Sequence, residues 1–253
     1  MKDIILCATQ RCGSTMIVED MRNTGVLGQP KEWFLPWKPN KEDANWARAL
    51  TKVRQNGTGD NGVFAVKVMA NQIADIDACL ATITDTPASE KAGSYPRFAN
   101  LFQDAAWIRL LRRDIVSQAI SRVMSRQTGI NHATANADDE HFAGNLAKGY
   151  DPSYNQQAVY RFEAIFKSVS SIILENLAWD RFFETSGIVP TELVYEDIVR
   201  DEDMRHLDIM AELIGLPDAP PRKPRVMVKL GNEKNAEWRE RFFVDAAEKR
   251  FRF

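Results

Sequence analysis

At 253 residues, 44% hydrophobic and 27% charged, the chain has the size of one large α/β domain, and no apolar run reaches the length of a membrane span. A formal net charge of -2 makes no case for a nucleic-acid surface, so any anionic ligand must be held by local donors. Three cysteines (Cys7, Cys12, Cys79) without metal spacing, and three histidines (His132, His141, His206) without a ligand motif, point to a reducing compartment and away from a metal. Met1-Lys2 runs straight into the first strand, which leaves no signal peptide and predicts a cytoplasmic protein.

Ile4 to Ala8 form an apolar run fit for a buried parallel strand. Gln10 to Gly13 turn the chain, and Ser14-Thr15 open a helix that carries Met16, Ile17, Val18 and Met21 before stopping at Asn23-Thr24-Gly25. A strand, a tight turn and a helix N-terminus make a place to hold an anion, because free backbone N–H groups and the positive end of the helix dipole converge there. Arg11 adds a cation, and Ser14 and Thr15 add hydroxyl donors. The loop that binds nucleoside triphosphates needs Gly-x4-Gly-Lys-Ser/Thr, and this sequence holds no Gly-Lys pair. Taken alone, Ser14 and Thr15 could equally just cap a helix. A thiol at this helix start beside Arg11 predicts a thiolate-like, reactive Cys12.

Residues 25–37 read as an irregular aromatic segment returning beside the anion loop, with Glu32 ahead of Trp33 and Phe34. A helix is expected around Trp46–Val53, a second strand over 62–69, and a helix over 72–83 with Ile73, Ile76 and Leu80 on one face. Lys67 interrupts the strand near its C-terminal end, where parallel sheets place ligand groups; the alternative is an edge or snorkelling lysine. Residues 84–104 show only turn signals.

A third strand, 105–111, leads through Arg112-Arg113-Asp114 into a helix to about Arg126 whose buried stripe is Ile115, Ala119, Ile120 and Val123. Ser121 follows Arg113 by eight residues, a little over two turns, so both can address one side of that helix. Two arginines at a helix start oppose the dipole, which favours an anion partner over a bare basic surface. Residues 128–152 read as a loop or lid, and 153–185 as one long helix or two abutting ones with an aromatic core face. A strand at 190–195, a helix from Tyr195 to Gly215, a proline-rich connector, a turn at Lys229-Leu230-Gly231-Asn232 and an amphipathic helix with Trp238, Phe242 and Phe243 complete the chain.

Strands separated by helices predict an α/β fold with a central, mostly parallel sheet flanked by helices. Together with the anion loop and Arg113-x7-Ser121, this resembles sulfotransferases that use 3′-phosphoadenosine-5′-phosphosulfate (PAPS), a likeness that implies a P-loop-like three-layer sandwich. Thr9-Gln-Arg-Cys-Gly-Ser-Thr15 with Gly28-x-Pro-x-Glu-Trp-Phe34 is similar to the bacterial trehalose 2-sulfotransferase family. So are Arg112-Arg-Asp114, Gln118-Ala-x-Ser121, Gln127-Thr128-Gly129 and Asn235-x-x-Trp238-x-x-Arg-Phe242. Cys12 stands where serine is usual, and Gln29 where an acidic residue is expected.

The resemblance implies one sulfotransferase domain over 1–253, with a helical and loop insertion around 128–186 and a C-terminal cap at 226–253. PAPS would be the donor and adenosine 3′,5′-bisphosphate the product, with no metal. Gln10, Arg11, Cys12, Gly13, Ser14 and Thr15 would hold the 5′-phosphosulfate, Arg113 and Ser121 the 3′-phosphate, and Lys229, Gly231 and Asn232 would close over the nucleotide. Glu32 would be the general base and Arg11 a catalytic cation, with Glu32, Trp33, Phe34 and Lys67 facing a carbohydrate or glycolipid acceptor. A homodimer is implied as well. The rivals are a small P-loop kinase, disfavoured by the missing Gly-Lys pair, and a nucleotide-binding module without chemistry.

Overall fold

The computed structural model describes residues 2–249, so the end of the expected C-terminal cap, 250–253, lies outside the described residues. In chain order the elements begin with β1 (Asp3–Ala8), α1 (Ser14–Thr24), α2 (Trp46–Gly57), β2 (Phe64–Met69), a 3-10 turn at Ala70–Gln72, α3 (Ile73–Leu80), α4 (Pro96–Leu101) and β3 (Ala106–Leu111). There follow α5 (Ile115–Thr128), β4 (His132–Thr134), β5 (Leu146–Ala147), α6 (Phe162–Ser186), β6 (Thr191–Val194), α7 (Tyr195–Arg200), α8 (His206–Leu213), β7 (Met227–Val228) and α9 (Glu233–Glu248). The chain divides into two compact units, Met1–Leu111 with Leu174–Lys223, and Arg112–Ile173 with Pro224–Phe253. No helix among the described residues is long and apolar enough to cross a membrane.

The first unit is an α/β body. Its four strands are all parallel, in the order β2-β1-β3-β6. Every residue of β1 and β2 is buried, as their near-continuous apolar runs require of strands covered on both faces. From β1 the chain passes to β2 on one side and then to β3 on the other. In such sheets ligands bind beyond the carboxyl ends of the strands at the point where the order reverses, here β1 and β3. The turn after β1 opens at that point.

Two contacts steady the turn's surroundings: Trp179 Nε1 of α6 donates to the Ala8 carbonyl at 3.0 Å, and Asp20 of α1 meets His206 of α8 at 3.0 Å, both buried. Below the sheet lies an aromatic core in which Phe34, Trp37, Phe98, Phe102, Trp107 and Phe182 pack largely edge to face.

Two elements of this unit differ from the sequence reading. Residues 84–104 contain α4, whose first N–H groups are capped by Asp77: its carboxylate accepts from Arg97 N at 2.8 Å and Phe98 N at 3.0 Å. The expected helix from Tyr195 to Gly215 is broken into α7 and α8. Met204 takes a left-handed φ of 51°, and the Asp201 carboxylate accepts from Arg205 N at 2.8 Å, a cap that restarts the chain rather than continuing it.

The second unit is built on α5, the start of α6, and α9. Ile120, Val123, Phe162, Ile165, Trp238 and Phe242 form its core, and Phe162 stacks on Phe242 at 5.1 Å. Part of the segment read as a loop or lid is a small sheet in the order β5-β4-β7, with β4 parallel to β5 and antiparallel to β7. Helix α6 starts only at Phe162, and the stretch from 153 to 161 is irregular.

Candidate active site

The loop from Thr9 to Gly13 joins β1 to α1 through two left-handed residues, Arg11 at φ 66° and Gly13 at φ 95°. For arginine that conformation is uncommon, and strain of roughly 1–3 kcal/mol of this kind collects at ligand-binding turns. Gly13 is the N-cap of α1 and has no side chain to meet the first N–H groups of the helix. Glycine is required for space too: a Cβ there would lie 2.3 Å from the ring of Tyr195, which follows β6. Gln10 is exposed, Arg11 and Thr15 half-buried, and Ser14 buried. The turn therefore offers backbone donors, a cation and a hydroxyl within one short span.

Cys12 corrects the reading of a reactive thiolate. Its side chain is buried at 0% exposure, and burial pushes the thiol up. The donors of Thr9 and Ser14 and the charge of Lys67 pull the other way and do not prevail.

The segment after α1 is laid along the outer edge of β2, where Lys67 N donates to the Lys31 carbonyl at 3.1 Å. That register brings Glu32 over the side chain of Lys67. The Lys67 ammonium lies 3.0 Å from Glu32 Oε1 and donates to Thr15 Oγ1 at 3.4 Å. Lys67 sits on the edge strand β2 but is only 5% exposed, so it is not a snorkelling lysine but a buried cation shared by the carboxylate and the anion loop. The second oxygen, Glu32 Oε2, accepts from Gln72 Nε2 at 3.0 Å. Gln72 was not among the residues picked out by the sequence. Its only signal there is a polar side chain just beyond the carboxyl end of a buried strand.

The neighbouring aromatics part company. Trp33 is half-buried, its Nε1 donating to the Gln29 carbonyl at 2.9 Å with the Lys31 ammonium 5.7 Å from the ring. Phe34 is 1% exposed, and its ring meets Trp37, Phe98 and Phe102 in the core. A ring so enclosed offers no face to an acceptor, so the placing of Phe34 at the acceptor is replaced by a packing role that anchors the segment bearing Glu32.

In the second unit, Arg113 is exposed immediately before Asp114, the N-cap of α5, and Ser121 is half-buried further along that helix. Asp114 accepts from Ser117 N at 2.9 Å, from Ser117 Oγ at 2.8 Å, and from Arg239 Nε of α9 at 3.0 Å. Burial pushes its carboxyl up, but the Ser117 donors and Arg239 outweigh that and hold it below the ordinary carboxylate value. The same bond ties the start of α5 to α9. Lys229 and Gly231 are exposed in the turn before α9. The Asn232 side chain is occupied differently from the sequence reading: it donates to the Pro152 carbonyl at 2.8 Å and pairs with the Asn155 amide at 3.0 Å, bracing the turn.

Among the described residues no group of three or more His, Cys, Asp and Glu side chains could hold a metal ion. Chemically, the first unit joins an anion-holding turn to a carboxylate through one ammonium, and the second presents cations and hydroxyls on a helix start and a turn.

The chain is similar to several known proteins. Two curated relatives, both named trehalose 2-sulfotransferase, are 25% identical to this chain. The one from Mycobacterium tuberculosis aligns with 97% of this chain and 96% of its own length. The one from Mycolicibacterium smegmatis aligns with 96% and 94%. A crystal structure of a sulfotransferase from Alicyclobacillus acidocaldarius superposes with a TM-score of 0.45 at 13% identity, covering 98% of this chain and 93% of that one. The family model described as Stf0 sulphotransferase matches residues 3–245, almost the whole sequence, and the chain belongs to that sulfotransferase family.

Proposed function

We propose that this sulfotransferase moves a sulfuryl group from PAPS to a hydroxyl of a carbohydrate, trehalose or a related glucoside or glycolipid, with Glu32 as the general base. The observation that carries the reading is the Glu32 carboxylate held 3.0 Å from Lys67, whose ammonium also reaches Thr15 at the start of α1. A base for the acceptor and a turn for the donor are thereby joined through one side chain.

The donor's 5′-phosphosulfate fits the turn by charge and by geometry, since the glycine N-cap brings no side chain of its own to the start of α1. Arg11, Ser14 and Thr15 would complete that cradle, with Gln10 at its rim and Cys12 contributing backbone only. Arg113 and Ser121 would hold the 3′-phosphate, with Lys229 and Gly231 lying along the nucleotide. Trp33 would flank the sugar. In the transfer, Glu32 takes the proton of the acceptor hydroxyl as its oxygen bonds to sulfur, and the bond from sulfur to the phosphate oxygen breaks. The electron pair of the broken bond leaves on adenosine 3′,5′-bisphosphate, where Arg11 and the loop N–H groups stabilise the growing charge.

Labelled PAPS offered with a panel of trehalose, simple glucosides and glycolipids tests the reading, and transfer of label to a sugar is the expected result. Glu32→Gln keeps the shape and one accepting oxygen but removes the base. It is expected to lower kcat by about 100-fold or more while the affinity for adenosine 3′,5′-bisphosphate barely changes. A near-parental kcat for Glu32→Gln on a confirmed acceptor removes Glu32 from this role, and turnover of ATP without transfer from PAPS replaces the reading by a kinase.

A further inference from the structure

We infer that Gln72 is a positioning residue for the transfer reaction, fixing the direction in which Glu32 presents its carboxylate to the acceptor. The inference rests on the reading of Glu32 as the base, and adds a residue to it that no sequence motif marked.

Gln72 closes the 3-10 turn Ala70–Gln72, which follows β2 without a break, and its side chain is buried, at 6% exposure. Met69 N donates to Gln72 Oε1 at 3.0 Å. A backbone N–H can be met only by the amide oxygen, so the amide nitrogen must point the other way. There it donates to Glu32 Oε2 at 3.0 Å. The amide is tethered at both ends, and its orientation is not free.

The terminal torsion of a glutamate is broad and roughly two-fold, so one partner alone leaves the carboxylate plane loosely defined. Glu32 has a different partner on each oxygen, Lys67 on Oε1 and Gln72 on Oε2. A carboxylate has about four acceptor positions, so two bonds fix the plane and still leave a lone pair for an incoming hydroxyl proton. The two partners divide the work. Lys67 supplies charge and also touches the anion loop, whereas Gln72 supplies direction without a second positive charge that would oppose proton uptake.

A purely structural role for Gln72 would be to cap the turn after β2 through the Met69 bond. The two bonds use different atoms, so they can be separated. Gln72→Glu keeps an oxygen for Met69 N–H but turns an acceptor toward Glu32 in place of a donor. Gln72→Met, of similar length, removes both bonds.

With labelled PAPS and a confirmed acceptor, Gln72→Glu is expected to lower kcat by about 10- to 100-fold, the scale of a misoriented catalytic group. Affinity for adenosine 3′,5′-bisphosphate is expected to stay within about twofold, since Gln72 touches the base and not the donor loop. Introduced into Glu32→Gln, the same change should add almost nothing, because two residues acting as a unit are not additive. Gln72→Met carries the same two measurements where the glutamate variant is not recovered folded.

Parental kcat in Gln72→Glu, or an undiminished further loss in the Glu32→Gln background, overturns the positioning role while leaving Glu32 as the base. Parental kcat in Glu32→Gln overturns the base itself. The three outcomes are distinct.

Discussion

The two units of this chain hold their functional candidates in opposite ways. In the α/β unit, Lys67 and Gln72 are almost wholly buried and each hydrogen-bonds Glu32, so that carboxylate carries its orientation in the folded chain itself. In the other unit, Arg113, Lys229 and Gly231 are exposed, and the neighbouring Asp114 and Asn232 are held by hydrogen bonds. Bond making rewards fixed geometry within fractions of an ångström, whereas gripping a phosphate asks mainly for charge within reach. On the proposed function, the difference separates groups expected to set the rate from groups expected to set affinity. It also predicts different side effects of mutation: loss of a buried member disturbs the fold, and loss of an exposed one does not.

The largest expected effect comes from Lys67→Met, which removes the ammonium shared by Glu32 and Thr15. Glu32 keeps a side-chain exposure of 26%, so water can replace part of what is lost, but the carboxylate no longer has its fixed countercharge. A fall in kcat of about 100-fold is expected, as for loss of the base. Unlike Glu32→Gln, this variant should also bind adenosine 3′,5′-bisphosphate more weakly and melt at a lower temperature, because the same side chain supports the loop. Single-turnover transfer, calorimetry and thermal melts measure the three effects. A variant that loses rate alone would break the proposed link between the carboxylate and the loop.

Arg113→Ala addresses the exposed unit. A charge-assisted bond to the 3′-phosphate is worth roughly 1.5–3 kcal/mol, so affinity for adenosine 3′,5′-bisphosphate should fall about 10- to 100-fold. Affinity for AMP should hardly change, kcat at saturating donor should stay near parental, and stability should stay within about 0.5 kcal/mol. Equal losses for the two nucleotides, read by calorimetry, would remove Arg113 from the 3′-phosphate.

How far each unit can be read from sequence follows from the same physics. β1, β2, β3, β6, α1 and α5 were legible because each carries its own signal: a contiguous apolar run, or an apolar stripe with a stop such as Gly25 or Gly129. The elements missed are held by partners far along the chain. α4 depends on Asp77, twenty residues before Arg97, and β4 pairs with Met227 and Val228. Neither has a local pattern.

The candidate site divides likewise. The turn from Gln10 to Thr15 and the pair Arg113 and Ser121 stand out by spacing. That Lys67 meets Glu32 is set by the register of an irregular segment on the edge of β2, which no spacing encodes. Gln72 was invisible for that reason. Phe34 and Cys12 were given surface roles because a motif shows which residues are adjacent in the chain and not which side chains the core encloses.

The smallest expected effect tests the support beneath Arg113. Asp114 caps α5 through Ser117 and bonds Arg239, and these donors hold its carboxyl below the ordinary value despite burial. A group whose pKa is depressed in the folded state contributes stability that is present above its unfolded value and disappears as the pH falls through the folded one. Asp114→Ala should therefore cost about 1 kcal/mol near neutrality, the usual price of an N-cap. For a chain of this size that corresponds to a drop of roughly 2–4 °C in Tm. The gap to the parent should hold from neutrality down to about pH 4, the ordinary carboxylate value, and narrow as the pH falls below it through the depressed folded one, because only there does the parent lose its own carboxylate. Asp114→Asn keeps a capping oxygen, so it should recover part of the loss near neutrality and show a weaker dependence on pH relative to the alanine variant. Affinity for adenosine 3′,5′-bisphosphate should weaken in the alanine variant by less than in Arg113→Ala, since the arginine remains and only its mounting is loosened. Thermal melts across that range, paired with calorimetry near neutrality, decide the point. A stability gap that stays constant with pH would mean that the Asp114 charge contributes nothing and that the cap acts through its shape alone.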